Sequence, residues 1–120
     1  MKTKLLLLLF ALDAISGCYY DIEEELYNCS VDPASVKYSS TVSTILTSNG
    51  CTGCHGNTSP AGGFNLSNYN GVKAAVSAGR LYGAINHEPG FNPMPQGGGK
   101  INSCDIKRVK AWIDAGAPNN

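Results

Sequence analysis

Cys51-Thr52-Gly53-Cys54-His55 places two thiols three residues apart with an imidazole directly after the second. C-x-x-C-H is the pattern at which a haem is covalently attached. Each thiol can form a thioether to a vinyl group, and the adjacent imidazole then falls beneath the iron as an axial ligand. Paired cysteines followed by a histidine also occur at zinc sites, where a fourth ligand must come from elsewhere in the chain. The rest of the sequence has to decide between these chemistries.

An iron that exchanges electrons without binding substrate needs a second axial ligand. Met94, in Pro93-Met94-Pro95, is the candidate: once the leader is removed it is the only methionine left. Prolines on either side fix φ and would hold the thioether toward the iron. Met/His ligation raises the reduction potential relative to two imidazoles. Methionine is also a common gap-filler in cores. His87, the only other histidine, is the competing distal ligand. A loop position near the haem edge, or simple exposure, is preferred for it over ligation.

Apolar spacing around the motif predicts helices and no strand. Val36, Tyr38, Val42, Ile45 and Leu46 form a stripe over 35–48, which Asn49-Gly50 ends. Its Ser, Thr and β-branched residues make that helix weak by propensity, so packing must hold it. Residues 56–67 read as a loop with Phe64 and Leu66 turned inward. Ser67 is a plausible N-cap for a helix over 68–78, with Tyr69, Val72, Ala75 and Val76 on one face and Gly79 as its stop. A short helix over 80–86 offers Leu81, Tyr82 and Ile85 to the haem. Residues 87–100, with three prolines and several glycines, form a shaped loop. A last helix over 103–115 aligns Ile106, Val109, Trp112 and Ile113, and Gly116 and Pro118 end it. Trp112 reads as core, and Lys107, Arg108 and Lys110 as a solvated face.

Taken together, C-x-x-C-H, Met94-Pro95 in a glycine-rich loop, and Trp112-Ile113-Asp114-Ala115-Gly116-Ala117 resemble the class I c-type cytochromes, in their single-haem bacterial lipoprotein form. The resemblance covers about residues 35–118. It implies an all-α small cytochrome c fold, three to five helices around one covalently bound haem c, with the first and last helices crossing beside it. It makes Cys51 and Cys54 the thioether anchors, His55 the proximal ligand and Met94 the distal ligand. Many members follow the haem motif with a Gly-Pro-x-Leu turn whose proline carbonyl accepts the histidine's other N–H. This chain has Gly62-Gly63-Phe64-Asn65-Leu66 instead, leaving the acceptor for that N–H unassigned, with Pro60 a weak candidate.

The N-terminus reads as an export signal. Lys2 and Lys4 precede an apolar run from Leu5 to Leu12 that is too short to span a bilayer. Ile15-Ser16-Gly17-Cys18 then resembles the lipobox of bacterial lipoproteins, implying lipidation at Cys18; more than one acyl chain makes such anchoring stable. The expected organisation is therefore a lipoprotein signal peptide over 1–17, a lipid-anchored tether over 18–34 and a cytochrome c domain over 35–118. Glu23 to Glu25, in the tether, also resemble a surface-export signal, with a solvated acidic spacer as the alternative reading.

Removal of the signal leaves 103 residues (120 less 17) with seven basic and eight acidic side chains. Such a near-neutral chain lacks the basic face that nucleic-acid binding requires. So small a domain also benefits from extra support. Export to an oxidising compartment makes a disulfide available. Cys29 and Cys104, outside the haem and lipid motifs, are predicted to form it. The bridge closes a loop of 75 residues (104 less 29), worth on the order of 4 kcal/mol by chain entropy.

The reading that unites these features is a one-electron carrier, not an enzyme, at the bacterial cell envelope. It is expected to be monomeric, anchored to a membrane on its periplasmic face or at the cell surface, and to meet redox-partner proteins there. The alternative is an envelope haem-based sensor or peroxidase-like domain in which the distal ligand is labile.

Overall fold

The computed structural model describes residues 29–120. The predicted signal peptide, Cys18 and most of the tether lie outside the described residues. Within them the chain forms five α-helices and no strand: α1 Ser43–Ser48, α2 Cys51–Cys54, α3 Tyr69–Ser77, α4 Arg80–Ile85 and α5 Ser103–Asp114.

The helix expected over 35–48 starts later than its apolar stripe suggests. Pro33–Ser35 is a separate 3₁₀ turn, capped by the Asp32 side chain, which accepts from the Ala34 N–H at 3.0 Å. The chain then enters a π-helical turn at Tyr38–Val42, with the Val42 N–H reaching the Lys37 carbonyl five residues back at 3.1 Å, before tightening into α1. Ser43, Thr44, Thr47 and Ser48 each turn a hydroxyl onto the carbonyl four residues earlier, at 2.6 to 3.1 Å. Such back-bonding by Ser and Thr weakens and bends a helix. The segment is held instead by Val42, Ile45 and Leu46, all buried.

The second helix boundary also moves by one residue. Asn68, not Ser67, is the N-cap of α3, its side chain accepting from the Gly71 N–H at 3.0 Å. The Ser67 hydroxyl is taken up by Asn57 and Asn65. Gly79, at φ 69°, separates α3 from α4 as expected of a helix stop. In α5 the Asn102 side chain caps by accepting from the Cys104 N–H at 2.8 Å.

The α5 stripe supplies the centre of the core. Ile106, Val109 and Trp112 are buried, and Ile113 packs partly against them. Each fully buried aliphatic side chain contributes about 1.5–3 kcal/mol. Trp112 lies against Tyr38 with ring centroids 5.8 Å apart, and Tyr38 meets Tyr69 edge-on at 5.1 Å. This aromatic cluster joins the last helix to the turn that leads into α1. The C-terminal segment laces it shut: the Trp112 Nε1–H donates to the Pro118 carbonyl at 2.9 Å, the Tyr69 hydroxyl to the Ala117 carbonyl at 2.9 Å, and the Tyr38 N–H to the Asn120 side chain at 2.7 Å.

Arg108 pairs with Asp105 at 2.9 Å and Lys110 with Asp114 at 2.6 Å on the outer face of α5. Exposed pairs of this kind add little stability. Lys110 also stands over the Tyr82 ring, 5.5 Å from its centroid. Tyr82 therefore does not accompany Leu81 and Ile85 as expected. At helical spacing it turns to the α5 side of α4, into a groove it shares with Ile106 and Lys110.

Candidate cofactor site

The C-x-x-C-H motif is built on a single helical turn. Gly50, at φ 71°, reverses the chain after α1, a left-handed conformation that a residue with a Cβ adopts at a cost. Cys51–Cys54 then forms α2, closed by the His55 N–H donating to the Cys51 carbonyl at 2.9 Å. Residues three apart on a helix share a face. Cys51 and Cys54 accordingly line one cavity, of about 710 Å³, together with His55. Cofactor pockets fall at about 300–1,000 Å³ and are mostly apolar with a few placed polar groups. Here the walls include Leu46, Phe64, Leu66, Leu81, Ile85 and Phe91.

Met94 lines the same cavity, from the loop 40 residues further on. The structure thus brings the four predicted haem residues, Cys51, Cys54, His55 and Met94, to one space. Cys54 is exposed and Cys51 half-buried, and burial pushes the Cys51 thiol above its ordinary pKa. Among the lining residues Arg80 is the only Lys, Arg, Asp or Glu. Among the described residues no group of three or more His, Cys, Asp and Glu side chains is arranged to hold a metal ion.

His55 is oriented by a main-chain group that the sequence reading did not identify. Its Nδ1 faces the Phe64 carbonyl oxygen at 3.3 Å. A carbonyl only accepts, so Nδ1–H is the donor and Nε2 carries the free lone pair. Pro60, the weak candidate for this role, instead accepts from the Gly63 N–H at 3.0 Å and so starts the turn that delivers Phe64. The Leu66 N–H donates to the His55 carbonyl at 2.7 Å, tying the loop back to the motif a second time. The only sequence trace of this device is Gly62-Gly63, both at positive φ.

His87 is absent from the cavity lining. Its Nε2 lies 2.9 Å from the Met94 carbonyl oxygen, so the nitrogen a bis-histidine site would need is already engaged. Phe91, also missed, lies flat against Gly83, where a Cβ would come within 2.6 Å of its ring. Cys29 and Cys104 are brought together as two thiols in hydrogen-bond contact, which raises the pKa of Cys104. The predicted lipidation site, Cys18, lies outside the described residues.

Comparison with family models, with curated proteins and with solved structures returns no match.

Proposed function

We propose that this chain is a monohaem c-type cytochrome, a one-electron carrier lipid-anchored through Cys18 at the bacterial cell envelope. The observation that carries the reading is the convergence of Cys51, Cys54, His55 and Met94 on one largely apolar cavity of about 710 Å³. The donor set fits haem c: two thiols on one face of a helical turn for thioethers, an imidazole with Nε2 free, and a thioether from a remote loop. A zinc site draws no comparable support, because among the described residues no group of three or more His, Cys, Asp and Glu side chains is arranged to hold a metal ion.

When bound, the haem iron supplies reversible one-electron exchange between its ferric and ferrous states. The chain's own residues hold and insulate it. Cys51 and Cys54 fix its position covalently, and His55 presents Nε2 because the Phe64 carbonyl retains the proton on Nδ1. Leu46, Leu81, Ile85 and Phe91 exclude water from the cavity, which lowers the reorganisation that electron transfer requires. Arg80, the one Lys or Arg in the lining, would offset the carboxylates of the porphyrin. Packing of α5 on the turn before α1, through Trp112 and Tyr38, agrees with the small cytochrome c fold in which the first and last helices meet. Its partners on this reading are redox proteins of the envelope, with no catalytic step of its own.

The test is expression of the full chain with cytochrome c maturation machinery, followed by denaturing electrophoresis with haem staining and ferric and ferrous spectra. Covalent haem with a sulfur-to-iron charge-transfer band in the ferric state is expected. Absence of covalent haem would overturn the reading. Covalent haem whose ferrous form binds CO rapidly, without that band, would favour the sensor or peroxidase-like alternative.

A further inference from the structure

We infer that His87 is a positioning residue for Met94: it acts by donating a hydrogen bond from its imidazole Nε2–H to the Met94 carbonyl. The inference rests on the proposed haem ligation and adds to it the device that keeps the distal loop in place.

The sequence makes this loop hard to hold. Proline has no N–H, so Pro93-Met94-Pro95 contains a single amide donor, that of Met94. That donor is spent on the Ala84 carbonyl in α4, at 3.0 Å. One hydrogen bond leaves the segment free to pivot about it. The second fixing point is the Met94 carbonyl, and His87 supplies its donor at 2.9 Å. His87 is itself anchored to the same helix end, its N–H reaching the Ala84 carbonyl at 3.3 Å, while the next residue, Glu88, donates its N–H to the Gly83 carbonyl at 2.9 Å. Both peptide groups flanking the Met94 Cα are thereby referred to the C-terminal turn of α4. The same helix carries Leu81, Ala84 and Ile85 into the cavity that Met94 lines.

His87 accepts an unusual backbone to do this. Its φ of 54° lies in the left-handed region, where a residue with a Cβ is uncommon. Asn or Gly would suit that conformation better but lack the reach of an imidazole across seven residues. A residue outside the cavity lining whose ring is turned onto the main chain of the distal ligand is a brace.

The test uses the holoprotein and three variants: His87→Leu, which keeps bulk and removes the donor; His87→Gln, which keeps an N–H donor; and His87→Gly, which relieves the backbone and removes the donor. Expected are full covalent haem in all three and loss of most of the sulfur-to-iron charge-transfer band in the Leu and Gly variants. Their ferrous forms should bind CO at least tenfold faster, and Gln should restore the band in large part. An unchanged band and CO rate in both Leu and Gly would overturn the inference while leaving haem ligation by Met94 intact. If the wild-type protein holds covalent haem but no such band, the proposed ligation fails, and the inference with it. A readout independent of the band and of CO binding is the imidazole nitrogen spectrum of the diamagnetic ferrous holoprotein. An Nε2–H tautomer at His87 is expected, and an Nδ1–H tautomer would overturn the inference, because the Met94 carbonyl would then have no donor.

Discussion

The carbonyl oxygen of Phe64 stands 3.3 Å from Nδ1 of His55, across a turn that passes through Gly62 at φ 62° and Gly63 at φ 78°. A residue with a Cβ in that conformation costs about 1–2 kcal/mol, and β-branched residues tolerate it least. Gly63→Val is therefore expected to pull the Phe64 carbonyl away from the imidazole. A hydrogen bond to Nδ1–H raises the basicity of Nε2 and favours ferric iron. Its loss should raise the midpoint potential, measured by spectroelectrochemical titration of the holoprotein. An unchanged potential would show that the carbonyl orients without tuning.

Met94 is half-buried on the cavity wall. Met94→His should lower the potential, since two imidazoles hold ferric iron better than an imidazole and a thioether. Met94→Leu should abolish the sulfur-to-iron band and open the ferrous iron to CO. Retention of the band in Met94→Leu would assign the sulfur to another residue.

Gly71 sits in the first turn of α3, where a Cβ would come within 1.7 Å of the Asn65 carbonyl oxygen. Backbone cannot rotate aside as a side chain can. Gly71→Ala should destabilise the protein at or above the upper end of the ~1–3 kcal/mol typical of overpacking, although helix propensity alone favours Ala over Gly. Thermal denaturation decides between the two effects.

Gly83 is buried in α4, with the Phe91 ring against it. Gly83→Ala should displace that ring, which also lines the cavity. Covalent haem yield per unit of protein is expected to fall, read as the ratio of haem to protein absorbance, while Ala at the exposed Gly53, which meets nothing within 4 Å, leaves it unchanged.

Cys29 and Cys104 touch as thiols. Oxidation should link them, seen as a gain of two protons in intact mass after reduction. Cys29→Ser should then lower stability by up to about 4 kcal/mol through the lost cross-link. The reduced protein carries a further pH signature. The Cys29 hydrogen bond raises the folded pKa of Cys104, so its stabilisation is present below the unfolded thiol value and lost as pH rises through the folded one. Stability of the reduced form should fall in alkaline solution, and that component should vanish on oxidation.

Much of the helical frame was legible because its signals are local. Alternating 3.6-residue stripes, Asn-Gly after α1, Gly79 after α3 and Gly116 after α5 act within one or two turns of the residues they govern. Local chemistry also explains the two shifted boundaries. Asn68 caps α3 through the Gly71 N–H while the Ser67 hydroxyl is engaged by Asn57 and Asn65, and the Ser43 and Thr44 hydroxyls in the first turn of α1 bond to carbonyls of the turn before it.

By itself the sequence supplied the donor set of the proposed site: two cysteines one helical turn apart with a histidine directly after them, and one methionine beyond the predicted leader. The tertiary structure alone decided what orients those side chains. The Phe64 carbonyl at His55 and the His87 imidazole at Met94 are contacts between a side chain and a main-chain oxygen 9 and 7 residues away. Every residue carries such an oxygen, so no residue type announces one. Only the path of the two loops, set by Gly62-Gly63 and by the return of Met94 to Ala84, places each oxygen where a histidine can use it.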